Sequence, residues 1–196
     1  RNVFKIKKFL NKYNSCVVKP SDSRGGRNIY IIDNNINTKK NNRETITNIN
    51  LFYKKHLKKL KKKYPLIVMQ KLQDPVYDLD LLGSKGKYVY HVLRRRINSR
   101  DPNSGHLIET KKLWLKTKKL AQVLIKKFNL DGLYDCDLML DNKKRFNILE
   151  INPRMSGSIA ICRIAGIPIL EYLVDLTLGK KLNVMKKIPT YCKVIL

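Results

Sequence analysis

The chain has 196 residues, which suits one large domain or two small lobes with a buried core. A hydrophobic content of 43% excludes a disordered chain, and no apolar run approaches the roughly 20 residues of a membrane-spanning helix. The formal net charge of +27 raises nucleic acid, an anionic surface or a polyanionic substrate as partners. A coding bias toward lysine explains the same charge, and we favour that interpretation.

The first third of the sequence predicts a helix, a hairpin and a second helix. Apolar side chains at helical spacing predict a helix over 3–13, and "SCVVK" and "NIYIID" predict two strands joined by the glycine loop "SDSRGG". Residues 43–63 carry apolar side chains on one face and lysines on the other, which predicts an amphipathic helix. The segment "LIVMQKL" after Pro65 predicts a buried strand.

The remaining segments predict antiparallel strands and three helices. "VYDLDLLG" and "KYVYHVLRRRI" alternate around a turn at 83–86, and "RDPNSGH" is predicted as a polar loop. A long helix over "TKKLWLKTKKLAQVLIKKF" precedes two more strands, "LYDCDLML" and "RFNILEI", and two short apolar helices follow Pro153. This order predicts a mixed α+β fold with antiparallel hairpins.

The cysteines indicate the redox compartment of the protein, and the first residue indicates whether the sequence is part of a longer polypeptide. Cys16, Cys136, Cys162 and Cys192 are scattered and contain no CxxC pair. This pattern is typical of reduced thiols rather than of a disulfide framework or a zinc site, so we expect a cytoplasmic protein. The sequence begins at Arg1, and we interpret it as a piece of a longer polypeptide.

Oxygen-bearing side chains cluster on the last two long strands. Alternation places Asp135 and Asp137 on one face, and Glu150 and Asn152 end the next strand, where both can face the same side. Carboxylate and amide oxygens suit Mg²⁺, and Arg154 adds a forked donor for phosphate or carboxylate. The alternative is that Glu150 caps a turn and Arg154 pairs with it.

Two other segments could bind phosphate. Gly25 and Gly26 can lay backbone N–H groups on phosphate oxygens, and Lys19 can reach the same charge, although an ordinary hairpin turn explains the glycines as well. Arg94 and Arg96 share one face of their strand and would neutralise a phosphoryl group or hold an acidic substrate. The alternative for these arginines is a solvated basic edge strand.

The order of these segments resembles one superfamily over nearly the whole chain. Lys19 and the glycine loop, then "VMQKL", "YDLDLL", "RRR", "DCDLML" and finally "EINPRMSGS", are similar to ATP-grasp domains, most of all those of carbamoyl-phosphate synthetase large chains. The resemblance implies two α+β lobes with antiparallel sheets that clamp a nucleotide. Residues 1–72 would form the N-terminal lobe with the phosphate loop, and residues 73–196 the C-terminal lobe with the metal-binding strands.

The resemblance also implies roles for single residues. It implies ATP with Mg²⁺, or Mn²⁺ in its place, and a ligase that joins a carboxylate to an amine or ammonia through an acyl phosphate. Arg94, Arg96 and Arg154 would then offset the phosphate charge. The implied nucleotide contacts are Lys19, Ser23, Gly25 and Gly26 at the phosphates, Gln70, Lys71 and Leu72 in the adenine hinge, and Asp78 at the ribose; the implied metal ligands are Asp137, Glu150 and Asn152.

Three departures from the family pattern keep an alternative open. Gln70 stands where a glutamate is usual in the hinge, and Val76 stands where a glutamate often contacts the ribose, so Asp78 or Asp80 would take that contact. We also expect the domain that usually precedes the grasp to lie elsewhere in the same polypeptide. A nucleotide-binding regulatory or degenerate module without turnover is therefore the alternative to the ligase.

A basic nucleic-acid-binding module is the competing class. The sequence lacks helix-turn-helix and zinc-finger spacing, and its aromatic residues are not interleaved with arginine as single-strand platforms would be. We therefore expect neither nucleic acid nor a membrane as a partner, despite the charge. A homodimer is an expectation by analogy alone.

Overall fold

The structure, a computed structural model, describes residues 2–21, 28–35, 39–40, 44–61, 65–99, 101–184 and 191–195. The chain divides into two compact units, residues 1–71 and residues 72–196. Each unit has its own sheet and its own apolar core. Among the described helices, none is long and apolar enough to cross a bilayer.

The first unit combines a helix with a five-stranded sheet in the order β3-β4-β2-β1-β5. Strand β1 pairs antiparallel with β2 and β5, which confirms the predicted hairpin, while β2 and β4 run parallel. Helix α1 buries Ile6 and Leu10 in a core that also contains Cys16 and Val18. The element bounds are α1 Asn2–Tyr13, β1 Ser15–Pro20, β2 Ile29–Asp33, β3 Lys39–Lys40, β4 Glu44–Thr47 and β5 Leu66–Gln70.

The helix predicted over 43–63 was wrong at its start. Residues Glu44–Thr47 form β4, because this β-branched segment pairs in parallel with β2. The helix begins after Asn48, whose side-chain Oδ1 accepts a hydrogen bond from the Leu51 amide at 2.9 Å and so caps it. It then runs as α2 Ile49–Leu51, a π-helical turn Phe52–Leu57 and α3 Lys58–Lys61.

The second unit is a six-stranded sheet in the order β10-β9-β6-β7-β8-β11, with every neighbouring pair antiparallel. The loop predicted for "RDPNSGH" was wrong, because this segment is strand β8 and pairs with β7, Arg96 lying opposite His106. Pairing across the sheet thus overrides the turn-forming residues. The bounds are β6 Gln73–Ser84, β7 Lys87–Asn98, β8 Asp101–Ile108, β9 Gly132–Leu140, β10 Phe146–Asn152 and β11 Cys192–Val194.

Helices cover both faces of this sheet. Helix α4, Lys111–Lys127, packs on one face through Ala121, Leu124 and Ile125 against a cluster that includes Leu79, Leu81 and Leu93. Helices α5, Ala160–Ile164, and α6, Ile169–Thr177, cover the other face in a cluster that includes Leu82, Tyr90 and Val92. Since side chains alternate along a strand, the even-numbered positions of β7, Arg94 and Arg96 included, share the face of α5 and α6.

Candidate metal and phosphate site

The register of the second sheet brings the acidic residues of three strands into rows. Glu150 of β10 lies opposite Asp137 of β9, and Asp137 lies opposite Asp78 of β6. One step along, Asn152 lies opposite Asp135, which lies opposite Asp80. Because residues directly opposite each other point to the same face of a sheet, these carboxylates and the amide share one surface.

A β-bulge in β10 puts Glu150 on that surface. Ile148 pairs with Leu138, but the next pair is Glu150 with Asp137, so Leu149 is an extra residue. Without the bulge, strict alternation would put Glu150 on the same face as Ile148, which is the face packed by α4. The bulge therefore moves Glu150 and Asn152 to the face of Asp135 and Asp137.

The side chain of Asn152 ties this surface together. Its Nδ2 donates to Glu150 Oε1 at 3.1 Å and to Asp135 Oδ2 at 3.5 Å. Since both amide protons point at carboxylates, the amide Oδ1 is the atom left to accept a bond or to ligate a cation.

Asp135 has a buried oxygen without a partner. Its side chain is 6% exposed, and Oδ1 makes no hydrogen bond in the described structure. Burial, followed by the charges of Asp80 and Asp78, raises the pKa of Asp135 to about 6. A buried carboxylate oxygen without a donor is costly, so a proton or a cation at Oδ1 would stabilise this arrangement.

Arg96 bridges the two central carboxylates. Its Nη2 donates to Asp137 Oδ1 at 2.8 Å, and its Nε donates to Asp78 Oδ2 at 3.0 Å. Burial, together with Asp78 and Asp135, raises the pKa of Asp137 to about 7 although Arg96 acts in the opposite direction. Burial would also raise the pKa of Asp78, but the hydrogen bonds from Arg96 and the charges of Arg94, Arg96 and His106 lower it.

Arg94 is fully buried, and its guanidinium is held by an acidic and a hydroxyl side chain. Its Nε and Nη2 donate to the two oxygens of Asp80 at 2.7 and 3.0 Å, and its Nη1 donates to Ser158 Oγ at 2.9 Å. Both members of the ion pair are 0% exposed. This arrangement argues against the predicted phosphate contact of Arg94 and favours a positioning role for it.

Arg154 is the exposed guanidinium of this surface. Its side chain is 60% exposed, and its Nη1 lies 3.3 Å from Asp135 Oδ2 and 2.9 Å from the carbonyl oxygen of Met155. The sequence left open that Arg154 pairs with Glu150, but in the structure Arg154 contacts the carboxylate of Asp135 instead. Much of its donor fork therefore faces solvent.

The residues predicted to contact the nucleotide are distributed over both units. Lys19 lies in β1 and Gln70 ends β5, both half-buried in the first unit, and Lys71 and Leu72 follow directly. Ser23, Gly25 and Gly26 lie outside the described residues. The structure thus brings together Asp78, Arg96, Asp137, Glu150, Asn152 and Arg154 in the second unit, and the roles of all these residues stay predictions.

Sequence reasoning missed Asp135 as a site residue. Alternation had already placed it on the face of Asp137, and that was the available signal. It also missed His106 and Ser158, which complete the surroundings of Arg94. His106 lies in the segment predicted as a loop, and Ser158 ends the segment "EINPRMSGS", in which only Glu150, Asn152 and Arg154 were assigned roles.

Comparison with known proteins defines the class. The arrangement is an ATP-grasp fold. One similar structure is the biotin carboxylase domain of Hydrogenobacter thermophilus 2-oxoglutarate carboxylase, solved with MgADP, ADP and bicarbonate. The match covers 92% of this chain and 40% of that protein, with a TM-score of 0.65 and 17% sequence identity. N5-carboxyaminoimidazole synthetase from Staphylococcus aureus with ADP matches 92% of this chain and 46% of its own (TM-score 0.61, 14% identity). The match to the N5-carboxyaminoimidazole ribonucleotide synthetase of Thermotoga maritima covers 94% of this chain and 45% of that protein (TM-score 0.64, 9% identity).

The chain belongs to a particular ATP-grasp family. The family model described as ATP-grasp in the biosynthetic pathway with Ter operon matches residues 62–194, about two thirds of the chain. The prediction of an ATP-grasp fold is therefore confirmed, while the finer likeness to carbamoyl-phosphate synthetase stays a prediction. No curated protein matches the sequence. The chain spans less than half the length of the solved structures compared above.

Proposed function

We propose that this chain carries an ATP- and Mg²⁺-dependent ligase activity that joins a carboxylate to an amine or ammonia. The observation that carries the proposal is the oxygen-rich surface of Asp135, Asp137, Glu150 and Asn152, which the β10 bulge creates. Membership of an ATP-grasp family supports it, and so do the ADP complexes of the structural relatives from H. thermophilus and S. aureus.

The chemistry of this surface fits a hard divalent cation. Mg²⁺ prefers oxygen ligands and keeps part of its shell for water and substrate phosphate. The surface offers the carboxylates of Asp135, Asp137 and Glu150 and the amide oxygen of Asn152. Carboxylate oxygens of Asp78, Asp135 and Asp137 lie within 4.8 Å of one another. Asp137, Glu150 and Asn152 would hold Mg²⁺ or Mn²⁺, which when bound would neutralise phosphate charge. The unpartnered Oδ1 of Asp135 adds a buried oxygen that a nearby positive charge would satisfy.

The protein side of the reaction is positioning and electrostatic stabilisation. In the proposed sequence, a carboxylate oxygen of the substrate attacks the γ-phosphorus of ATP and ADP leaves; the amine then attacks the acyl carbon and phosphate leaves. The exposed fork of Arg154 would donate to phosphate or carboxylate oxygens, and Arg96 would fix the orientation of Asp137. Lys19 and the loop with Ser23, Gly25 and Gly26 are proposed phosphate contacts.

Calorimetric titration of ATP with and without Mg²⁺ tests the proposal. We expect saturable binding that depends on Mg²⁺ and is abolished in Glu150→Ala. Glu171→Ala is the matched control, because Glu171 is also an exposed glutamate but lies on α6, where it pairs with Arg163. The titration is repeated at two salt concentrations, since the surface lysines of a chain with a net charge of +27 collect phosphate by themselves.

The two glutamate variants make the outcome decisive. Binding that ignores Mg²⁺, is equal in wild type and Glu150→Ala and fades with salt would overturn the proposed site. Binding that falls equally in Glu150→Ala and Glu171→Ala would show a general loss of folded protein instead, because removal of a negative charge by itself favours the binding of phosphate.

A nucleotide-binding regulatory module without turnover is the second candidate. The observation in its favour is that Asp78 and Asp80, the carboxylates left to contact a ribose in place of Val76, both accept hydrogen bonds from buried or half-buried arginines. ADP release with a panel of carboxylates and amines in the full polypeptide distinguishes the two candidates. Mg²⁺-dependent ATP binding without ADP release under any pair would favour the regulatory module.

A further inference from the structure

The positive charge on the helices of the second unit is concentrated on one face of its sheet. Helix α4 contains seven lysines and no acidic residue. The helices on the other face are balanced, because Arg163 pairs with Glu171 and Lys180 with Asp175. A coding bias toward lysine would act on exposed positions of both faces alike, so it does not account for this difference.

The basic surface extends beyond the helix. Lys116 Nζ donates to the carbonyl oxygen of Lys144 at 2.8 Å, which joins the lysine-rich turn between β9 and β10 to α4. No lysine of α4 takes part in an ion pair among the described residues. We call this surface the α4 face; its exposed lysines on the helix are Lys111, Lys112, Lys116, Lys119, Lys126 and Lys127.

The charges in the first half of α4 oppose its stability, whereas Lys126 and Lys127 in the last turn match the helix dipole. Lys111 and Lys112 occupy the first turn, where the helix dipole favours negative charge, and no acidic residue offsets them. Lys112 and Lys116 are also like charges at i and i+4. Features that cost local stability without a structural gain are expected where a surface serves a partner.

The residue types of the α4 face indicate the kind of partner. All seven basic residues of the helix are lysines, and a cluster of basic residues binds an anionic lipid surface. Three large apolar side chains are exposed among the lysines: Leu115 at 47%, Val123 at 58% and Phe128 at 54%. Lysines with exposed apolar side chains match the charged headgroups and the acyl boundary of a bilayer.

We propose that the α4 face docks the protein on an anionic lipid membrane surface. The lysines would contact the negative headgroups, and Leu115, Val123 and Phe128 would enter the interface between headgroups and acyl chains. This is peripheral binding by a folded helix face, and it revises our expectation from the sequence that no membrane is involved. It is independent of the proposed ligase activity.

Flotation with phosphatidylcholine vesicles, with and without phosphatidylserine, tests the proposal. We expect the wild type to bind only vesicles that contain phosphatidylserine. The triple variant Lys112→Gln, Lys119→Gln and Lys126→Gln should bind about a hundredfold more weakly, since each lysine near an anionic surface contributes about fivefold. Glutamine keeps the helix propensity of these positions.

A second triple variant controls for net charge. Lys7→Gln, Lys8→Gln and Lys54→Gln remove the same charge from exposed positions of the first unit and should leave vesicle binding unchanged. Leu115→Gln with Val123→Gln should weaken the binding that remains at high salt, where the lysines are screened. Fluorescence of the single tryptophan, Trp114 in α4, checks that the second unit is folded in every variant.

Three outcomes would overturn the proposal. The first is a wild type that does not bind phosphatidylserine vesicles, and the second is an equal loss in the two triple variants. The third is a variant of the α4 face that loses affinity for a DNA duplex of arbitrary sequence while vesicle binding persists, which would make the surface a nucleic-acid contact.

Discussion

Removal of the buried Arg94 guanidinium should destabilise the second unit strongly. In Arg94→Met the unbranched stem of the side chain is kept, but Asp80 loses both hydrogen bonds from Arg94, at 2.7 and 3.0 Å. Among the described residues, the Cys162 thiol at 3.7 Å is the donor that remains. Breaking a fully buried ion pair at one partner costs about 3–5 kcal/mol. We expect the upper half of that range, because Ser158 Oγ also loses the hydrogen bond that Arg94 Nη1 donates to it.

Urea unfolding followed by Trp114 fluorescence measures this loss. Trp114 is the only tryptophan, and it is buried in the second unit with its ring stacked on His91 at a centroid distance of 4.4 Å, so its emission reports on that unit. Arg163→Met is the matched control. Its partner Glu171 is half-exposed and Arg163 itself is 77% exposed, so the same substitution there should cost no more than about 1 kcal/mol.

A compensating variant separates the lost charge partner from lost packing. Asp80→Leu in the Arg94→Met background removes the orphaned carboxylate, and replacement of a whole buried pair by apolar side chains is often close to neutral. The double variant should therefore recover at least about 2 kcal/mol of the loss. The reasoning is refuted if Arg94→Met costs as little as Arg163→Met, or if the double variant is no more stable than the single one.

Three further predictions concern single positions. The pKa of Asp135 is raised to about 6, above the value of about 3.9 for an aspartate in the unfolded chain. Between these two values the folded state binds more protons than the unfolded state. The free energy of unfolding should therefore increase as the pH falls from about 8 to 5. Asp135→Asn should lack that increase, so its urea midpoints at the two pH values should differ less than those of the wild type. A difference equal to that of the wild type would contradict the raised pKa. Gly83→Ala should cost about 1–3 kcal/mol by the same fluorescence assay, because the new Cβ would lie 2.7 Å from the backbone oxygen of Leu130; wild-type stability would show that the backbone there yields freely. Asn48→Ala should cost about 1 kcal/mol and speed hydrogen exchange of the Leu51 amide, whereas unchanged exchange would mean that the cap contributes nothing.

The sequence predicted elements where local pattern and tertiary pairing agree. The hairpin of β1 and β2, the strand pair β6 and β7, and helix α4 follow from alternation or helical periodicity, and the structure confirms them. The prediction failed where pairing decides against local propensity. The segments of β4 and β8 were predicted as a helix start and as a loop, and they form strands because they pair with β2 and β7.

The candidate site could be predicted by residue type but not by geometry. Strict alternation from Ile148 would turn Glu150 toward α4, and only the bulge at Leu149, which no residue type announces, turns it toward Asp137. The burial of Arg94 could not be predicted from the sequence either. A sequence with 42 basic residues gives no sign that this particular arginine is enclosed by Asp80 and Ser158.

The charge of the candidate site is the inverse of the charge of the chain. The chain has 15 acidic residues against 42 basic ones, yet one face of the second sheet gathers five acidic side chains around three arginines. Two of those arginines are committed to Asp80 and to the pair Asp78 and Asp137, so a surplus of negative charge remains at the end where Glu150 is exposed. Lysines elsewhere can attract the phosphates of ATP, whereas the surplus of negative charge at this surface suits a divalent cation. Dependence of nucleotide binding on Mg²⁺ and on Glu150 is therefore the property that separates a built site from a basic protein collecting anions.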